Sequence, residues 1–349
     1  MITFDKRGGG ERLIINLARA LKADIYTGFA DRKNTFDMSD LNVIEIGRRI
    51  SNPLVRTVYL MEKFKRLDLT GKYDFFIFSG TLCISAARNR PNLLYLHTPP
   101  RHMYDLKEWF AKNSGIIGRA GLKLLHAYLY PRDQNYMRQF DVICPNSENV
   151  ALRVKKFYGR RLYKKCKVVY TGIETKKFYC KSGEFFLSVS RLDPLKRIDV
   201  MINAFKEMPG ETLYITSSGP EEAHLKKMAE GHGNIKFLGP VSEEKLLDLY
   251  ARCKAVISAN IDEDLGLSAI ECQAAGKPAI TVREGGFVET TVENKTGLFF
   301  QPDKDSLIAA IRKFKSIQWN RNVIRKNAKN YDISTFVKRI KNVISETRK

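Results

Sequence analysis

The sequence predicts an α/β protein of two halves, each a parallel sheet covered by helices on both faces. Three observations carry this reading. The chain has 349 residues, of which 44% are hydrophobic and 11% aromatic, which is long for one core and suits two domains of ordinary size. Short apolar runs alternate with helical stretches, the order of a parallel sheet with crossover helices. Between one such run, KAVISAN (Lys254 to Asn260), and a small-residue helix, SAIECQAA (Ser268 to Ala275), lies a loop that carries Glu263. Strand-to-helix loops of this kind sit at the carboxyl edge of a parallel sheet, where ligands bind.

In chain order, a helix follows Gly8, Gly9 and Gly10 as ERLIINLARALK (Glu11 to Lys22). Strands are expected at DIYTGF, NVIEIG, FFIFSG, NLLYLHT and VICPNS. After the link KVVYTGIETKKFYC (Lys167 to Cys180), the second half opens near Glu184, with strands at FFLSVS, TLYITSSG, IKFLG, AVISAN and PAITV. The corresponding domain limits are 1–175, 176–330 and a terminal segment 331–349. Gly276 and Pro278 stop the helix SAIECQAA, and the amides of Leu265, Gly266 and Leu267 would open it toward an anion. Glu263 would project from the loop and Glu271 from the helix, two carboxylates suited to hydroxyls beside a phosphate-binding terminus.

Arg191 and Lys196 follow the strand FFLSVS and carry the charge that neutralises a diphosphate, with Arg197 as a neighbour that could substitute. Three glycines at 8–10 let backbone approach a pyrophosphate, although a plain flexible loop has the same composition. Glu271 sits in an otherwise small, apolar helix, where an unpaired carboxylate would be costly. Asp262-Glu263-Asp264 has the Asp-x-Asp form that holds a divalent metal in some transferases. Its place in the second half, with Arg191 and Lys196 at hand for phosphates, argues for a site without metal. No His/Cys cluster suggests zinc.

The segment from Asp262 to Ile280, with Glu263 and Glu271 in a Glu-x7-Glu spacing, resembles the signature of the retaining glycosyltransferases of family 4, which have the GT-B fold. Other matches follow in order: GGGER (Gly8 to Arg12), LLYLHTPPR (Leu93 to Arg101), FLSVSRLDPLKRIDVMINAF (Phe186 to Phe205), SSGPEEAHL, NIKFLGPV and GGFVETTVENKTGLFF (Gly285 to Phe300). HTPPRHMYDL and NSENVALRVKKFYGR are similar to the O-antigen mannosyltransferase-like branch. The resemblance implies two Rossmann-like domains facing a central cleft, with a C-terminal helix crossing back to the first domain. It further implies GDP-mannose as donor and no metal or other cofactor.

By the same resemblance, Glu263 holds donor-sugar hydroxyls and stabilises positive charge developing at the anomeric carbon, and Glu271 binds the ribose. His97 contacts the sugar's primary hydroxyl, Gly266 and Leu267 offer amides to the phosphate, and the backbone of Phe237, Leu238 and Gly239 reads the base. The implied reaction is retaining transfer of a mannosyl group to a hydroxyl of a lipid-linked or cell-surface glycan. In it the acceptor attacks from the face that the diphosphate leaves, and a diphosphate oxygen takes its proton. A nucleotide-sugar 2-epimerase of similar shape and a basic nucleic-acid-binding protein are the rival readings. Relatives of this kind place a full strand and a loop before the first glycine pair, for which MITFDKR is too short. Either that strand begins upstream or its place in the sheet is weakly filled.

The charge is uneven. Residues 1–180 hold 33 Lys and Arg against 16 Asp and Glu, residues 181–310 hold 15 against 20, and residues 311–349 hold 12 against 2. The segment Arg153 to Lys167 alone has eight cations and no acid. Phe157, Tyr158 and Tyr163 interleave with them as in single-strand binders, but no nucleic-acid recognition pattern accompanies them. An anionic membrane surface is the expected partner, and nucleic acid is not. On the helix GIIGRAGLKLLHAYLY (Gly115 to Tyr130), Ile117, Leu124, Leu125 and Tyr128 share one face and Arg119, Lys123 and His126 the other, which suits either a membrane-lying helix or one packed on a sheet. No apolar run approaches the ~20 residues of a spanning helix. Six cysteines without paired spacing and the lack of a signal-peptide layout lead to an expectation of a reduced, cytoplasmic chain, peripheral at the inner face of the membrane.

Overall fold

The computed structural model describes residues 3–5, 8–112 and 115–348. The chain divides into two compact units, one of Met1–Thr171 with Phe336–Lys349 and one of Gly172–Thr335.

The first unit carries five strands inside the five expected runs: β1 (Ile25–Thr27), β2 (Val43–Glu45), β3 (Phe76–Ser79), β4 (Asn92–Leu96) and β5 (Val142–Pro145). All pairings are parallel, but they form two pieces, β1 with β2 and β3 with β4 with β5. A cavity of about 410 Å³ lies between them, lined by Ile25 and Tyr26 on one side and Phe76 and Phe78 on the other. Of the segment before the glycines, Phe4 is fully buried and makes a single bridge to Ala30; Met1, Ile2, Lys6 and Arg7 lie outside the described residues.

The first helix, Gly9–Leu21, buries Leu13, Ile14, Ile15, Leu17 and Ala18 on one face, the stripe its 3.6-residue pattern dictates. Lys22 ends it in a left-handed turn whose N–H reaches back to Ala18 and Arg19. All five residues of β4 are buried. Tyr95 within it donates to or accepts from Thr171 at 2.9 Å and sets its ring edge-on to Phe336, 5.2 Å away.

On the helix Ile116–Met137 the apolar stripe divides between the two readings open for it. Leu125 and Tyr128 pack against the core of this unit and Leu129 is buried in it, whereas Leu124 is 73% exposed. The apolar side chains therefore divide between core and solvent, because a helical wheel fixes their angles but not which sector the sheet covers. The side chain of Ile117 lies outside the described residues. The basic segment that follows is also only partly a surface. Arg153 is buried and donates to Thr98 at 2.6 Å, joining HTPPR to NSENVALR. Phe157 stacks on Tyr104 and Tyr158 is buried, so these two rings point inward rather than offering faces to bases.

The second unit is one six-stranded parallel sheet of β6 (Phe185–Val189), β7 (Leu213–Thr216), β8 (Ile235–Gly239), β9 (Cys253–Ser258), β10 (Ala279–Val282) and β11 (Gly297–Phe300), in the order β11-β10-β9-β6-β7-β8. The sequence pattern misses β11, since GLFF is a four-residue run inside a motif. Its register is set from outside by parallel pairing with β10, and a Cβ at Gly297 would stand 2.1 Å from the Ala279 carbonyl oxygen. Strand order reverses between β6 and β9. Loops leaving the carboxyl ends of those two strands flank the switch point, the preferred ligand position of such sheets. Among the described residues no helix is long and apolar enough to cross a membrane.

Candidate active site

The loop after β6 is shaped by Asp193, which accepts from the Leu195 amide at 3.1 Å and starts the short turn Pro194–Lys196. Arg197 then adopts a left-handed conformation and begins the helix Ile198–Lys206. That reversal aims Lys196 at the loop after β9. Its Nζ lies 2.8 Å from Glu263 Oε2, and the Asn260 amide donates to the same oxygen at 2.5 Å. The side chains of Lys196 and Glu263 are 25% and 21% exposed. Both are close enough to solvent to meet a ligand and sheltered enough for their charges to act strongly. A backbone bond from Ile261 to the Leu195 carbonyl at 2.9 Å holds the two loops in register.

Arg191 lies elsewhere. Its side chain is 70% exposed, with a loose 3.9 Å pairing to Asp193, while Leu192 beside it is buried and tied to Ser218 and Glu221. Arg197, the expected substitute, is committed to Glu284 at 2.8 Å. Glu284 also accepts from the Asp262 amide at 3.3 Å, so this pair braces the loop from behind.

The loop from Asp262 to Gly266 rests on the Gly285-Gly286-Phe287 corner. Gly285 has φ +54, and a Cβ there would stand 2.4 Å from the Glu263 carbonyl oxygen. Gly286 donates its amide to that oxygen at 2.7 Å. Gly266, at φ +86, caps the helix Leu267–Ala274, with no room for a side chain against the Phe287 ring. The amides of Leu265, Gly266 and Leu267 thus open this helix, and Leu265 itself is buried.

Glu271, on that helix, accepts from the buried Tyr250 hydroxyl at 2.5 Å. Burial and the neighbouring carboxylate push the Tyr250 pKa well up, so the phenol remains a donor. Phe237, Leu238 and Gly239 close β8, and the Gly239 carbonyl accepts from Ser217 at 2.8 Å. Leu238 packs on the cluster that contains Tyr250. Among the described residues no group of three or more His, Cys, Asp and Glu side chains could hold a metal, Asp262-Glu263-Asp264 included.

In the first unit, Gly8 is the N-cap of the opening helix, and Gly9 and Gly10 are its first residues. Glu11, itself buried, folds back on the helix start so closely that a Cβ on Gly8 would stand 2.4 Å from its Oε2. A carboxylate there complements the positive end of the helix dipole. A Cβ on Gly10 would lie 3.7 Å from the ring of His97. The half-buried imidazole follows β4, shares a hydrogen bond of 3.0 Å with Ser79 at the end of β3 and meets Tyr95 edge-on. Burial drives its pKa down to about 4, so the ring is neutral at physiological pH and can donate or accept.

The structure therefore brings Lys196 to Glu263 in the second unit and His97 to Gly10 in the first. It leaves Arg191 pointing outward. Sequence reasoning missed Asn260, Tyr250, Glu284 and Ser79, which hold the named side chains, although the Gly285-Gly286 pair was a visible sign of close backbone approach.

Residues 174–331 match the family model described as glycosyl transferases group 1. The second unit is a group 1 glycosyl transferase domain. The solved structure of Anabaena HepE in complex with UDP and glucose superposes with a TM-score of 0.75 at 16% identity, covering 99% of this chain and 98% of that one, and the chain has the GT-B fold. Mycobacterium tuberculosis glycogen synthase is 33% identical over 261 residues, 71% of this chain and 60% of the relative. Dictyostelium discoideum alpha-1,3/1,6-mannosyltransferase ALG2 is 24% identical over 379 residues, 88% of this chain and 86% of the relative. The chain spans 27% to 60% of the length of the first curated relatives it matches. Group 1 glycosyl transferase character is thus placed on the residues that carry Lys196, Glu263 and Glu271.

Proposed function

We propose that the protein is a retaining glycosyltransferase of family 4, in the O-antigen mannosyltransferase-like branch. It moves a mannosyl group from GDP-mannose to a hydroxyl of a lipid-linked or cell-surface glycan. The observation that carries this reading is the Lys196–Glu263–Asn260 cluster at the strand-order reversal of the second unit, within the group 1 glycosyl transferase domain. Lys196 and the amides of Leu265, Gly266 and Leu267 receive the diphosphate and stabilise it as it leaves. Glu263 holds sugar hydroxyls and faces the charge that develops at the anomeric carbon, while Glu271, fixed by Tyr250, takes the ribose. The chemistry asks for positioning and electrostatics and for no enzymic nucleophile or metal. The mannosyl assignment is supported by HTPPR and NSENVALR, which Arg153 and Thr98 join physically, and by the similarity to ALG2.

A thermal-shift series with GDP-mannose, GDP-glucose, UDP-glucose and UDP-N-acetylglucosamine, with and without EDTA, tests this. A ligand about 100-fold above its Kd adds about 2.7 kcal/mol, a rise on the order of 5–10 °C for a domain of this size. GDP-mannose is expected to give that rise and EDTA to leave it unchanged. Stabilisation by UDP-sugars alone, with their interconversion in the absence of acceptor, would favour the epimerase.

The membrane contact is carried by Leu54, Val55 and Leu124, all exposed, with Arg119 and Lys123 exposed on the same helix as Leu124. Gly121, one turn before Leu124, lies against Leu54, so these apolar groups share one surface. Apolar side chains ringed by cations suit an anionic leaflet. The protein is expected to sediment with phosphatidylglycerol vesicles and far less with phosphatidylcholine vesicles, and Leu124→Asp with Val55→Asp to abolish the difference. Equal sedimentation with both lipids would remove this part of the reading.

A further inference from the structure

A second cavity of the first unit, about 140 Å³, lies beside the carboxyl ends of β3 and β4 and has a role in nothing described above. Its walls include Met61, Ile84 and Leu129, with Thr81, His102 and Asp133 supplying polar groups. Asp133 is only 5% exposed. The hydroxyls of Tyr104 and Tyr158 both donate to its Oδ2, the second at 2.8 Å, and Gln134 donates to the Tyr104 hydroxyl at 3.1 Å. Two phenols on one oxygen lock the carboxylate in place. No hydrogen bond to the other oxygen, Oδ1, is made among the described residues, and Asp133 lines the cavity, so its carboxylate keeps an acceptor for a donor brought by a ligand.

Size and chemistry narrow the occupant. A dry cavity of about 150 Å³ takes one six-membered ring, whereas pockets for drug-sized ligands run from roughly 300 to 1,000 Å³. A space of this size matches one ring better than a whole nucleotide. A carboxylate oxygen only accepts, so the ring must bring a donor, and aliphatic walls opposite a carboxylate, a threonine and an imidazole match a ring with C–H faces and a hydroxylated edge. We propose that this cavity is a binding subsite for one pyranose unit of the glycan acceptor, with Asp133 Oδ1 accepting a hydrogen bond from a ring hydroxyl. The inference rests on the glycosyltransferase reading for the word acceptor, but binding of the sugar itself does not.

Saturation-transfer difference NMR on the full chain, with millimolar methyl α-glycosides of mannose, glucose, galactose and N-acetylglucosamine, tests it. At least one glycoside is expected to give a signal with the wild type. Asp133→Asn, in which the amide NH2 replaces Oδ1 if the carbonyl keeps the two phenols, is expected to cut that signal at least fivefold. Thr81→Leu, outside the tyrosine network, is expected to do the same by filling the mouth, and it carries the test if Asp133→Asn does not fold. Tyr158→Phe removes one phenol, leaves Oδ1 and the cavity in place, and is expected to keep the signal. No signal with folded wild type, a signal that survives both cavity variants, or equal loss in Tyr158→Phe would overturn the proposal. A parallel thermal shift with GDP-mannose separates the two readings: loss of donor stabilisation with intact glycoside binding sinks the donor assignment alone, and the reverse sinks the subsite alone.

Discussion

Replacing Lys196 by alanine is expected to lower sugar transfer by about two to three orders of magnitude, the usual consequence of removing one preorganised electrostatic contact from a transition state. Stability should change little. Lys196 and Glu263 are a part-exposed ion pair at 2.8 Å, and such pairs contribute roughly 0–1 kcal/mol. Glu263→Ala should cost a comparable amount of activity, with Glu263→Gln between it and wild type, because a glutamine still accepts from Lys196 and Asn260 but brings no charge to the anomeric centre. Steady-state kinetics beside a melting curve separates these effects. Full activity in both alanine variants would sink the site assignment.

The second large effect is expected at a residue with no chemistry of its own. Gly285→Ala puts a Cβ 2.4 Å from the carbonyl oxygen and 2.6 Å from the nitrogen of Glu263, and gives alanine a φ of +54 that costs about 1–2 kcal/mol by itself. Both contacts are backbone, so neither can swing away. The loop must shift, and with it the bond from Gly286 to Glu263. Nucleotide-sugar affinity is expected to fall at least tenfold and the melting temperature by several degrees. Gly210→Ala, at a glycine with open space around it, is the matched control and should change neither. Unaltered affinity in Gly285→Ala would show that the position of Glu263 does not matter for binding.

Ten of the eleven strands and the helix behind Glu263 were legible as runs and stops in the sequence. The sequence also set Glu263 and Lys196 on loops that follow two strands of the second half, but that the two side chains meet, at 2.8 Å, is seen only in the structure. What was not legible is which groups hold those side chains. Asn260 ends an apolar run and Tyr250 lies in the last turn of the amphipathic helix Glu243–Arg252. Nothing local distinguishes them from ordinary boundary residues until the sheet order sets β9 beside β6 and brings Tyr250 to Glu271. Arg191 and Lys196 share the run SRLDPLKR, which does not tell their exposure apart: packing leaves the Arg191 side chain 70% exposed and that of Lys196 25%. Leu124 and Leu125 differ for the same reason, since adjacent helical residues point about 100° apart and only packing decides which of them is covered.

The divided sheet of the first unit has a consequence for how the protein opens. A strand inside a continuous ladder must break two rows of backbone bonds to come free, while β1 and β3, each paired on one side with the 410 Å³ space on the other, must break one. The six-stranded ladder of the second unit has no such seam. Backbone amides of β1 and β3 are therefore expected to exchange faster than those of β6 and β9, which hydrogen-exchange mass spectrometry would test.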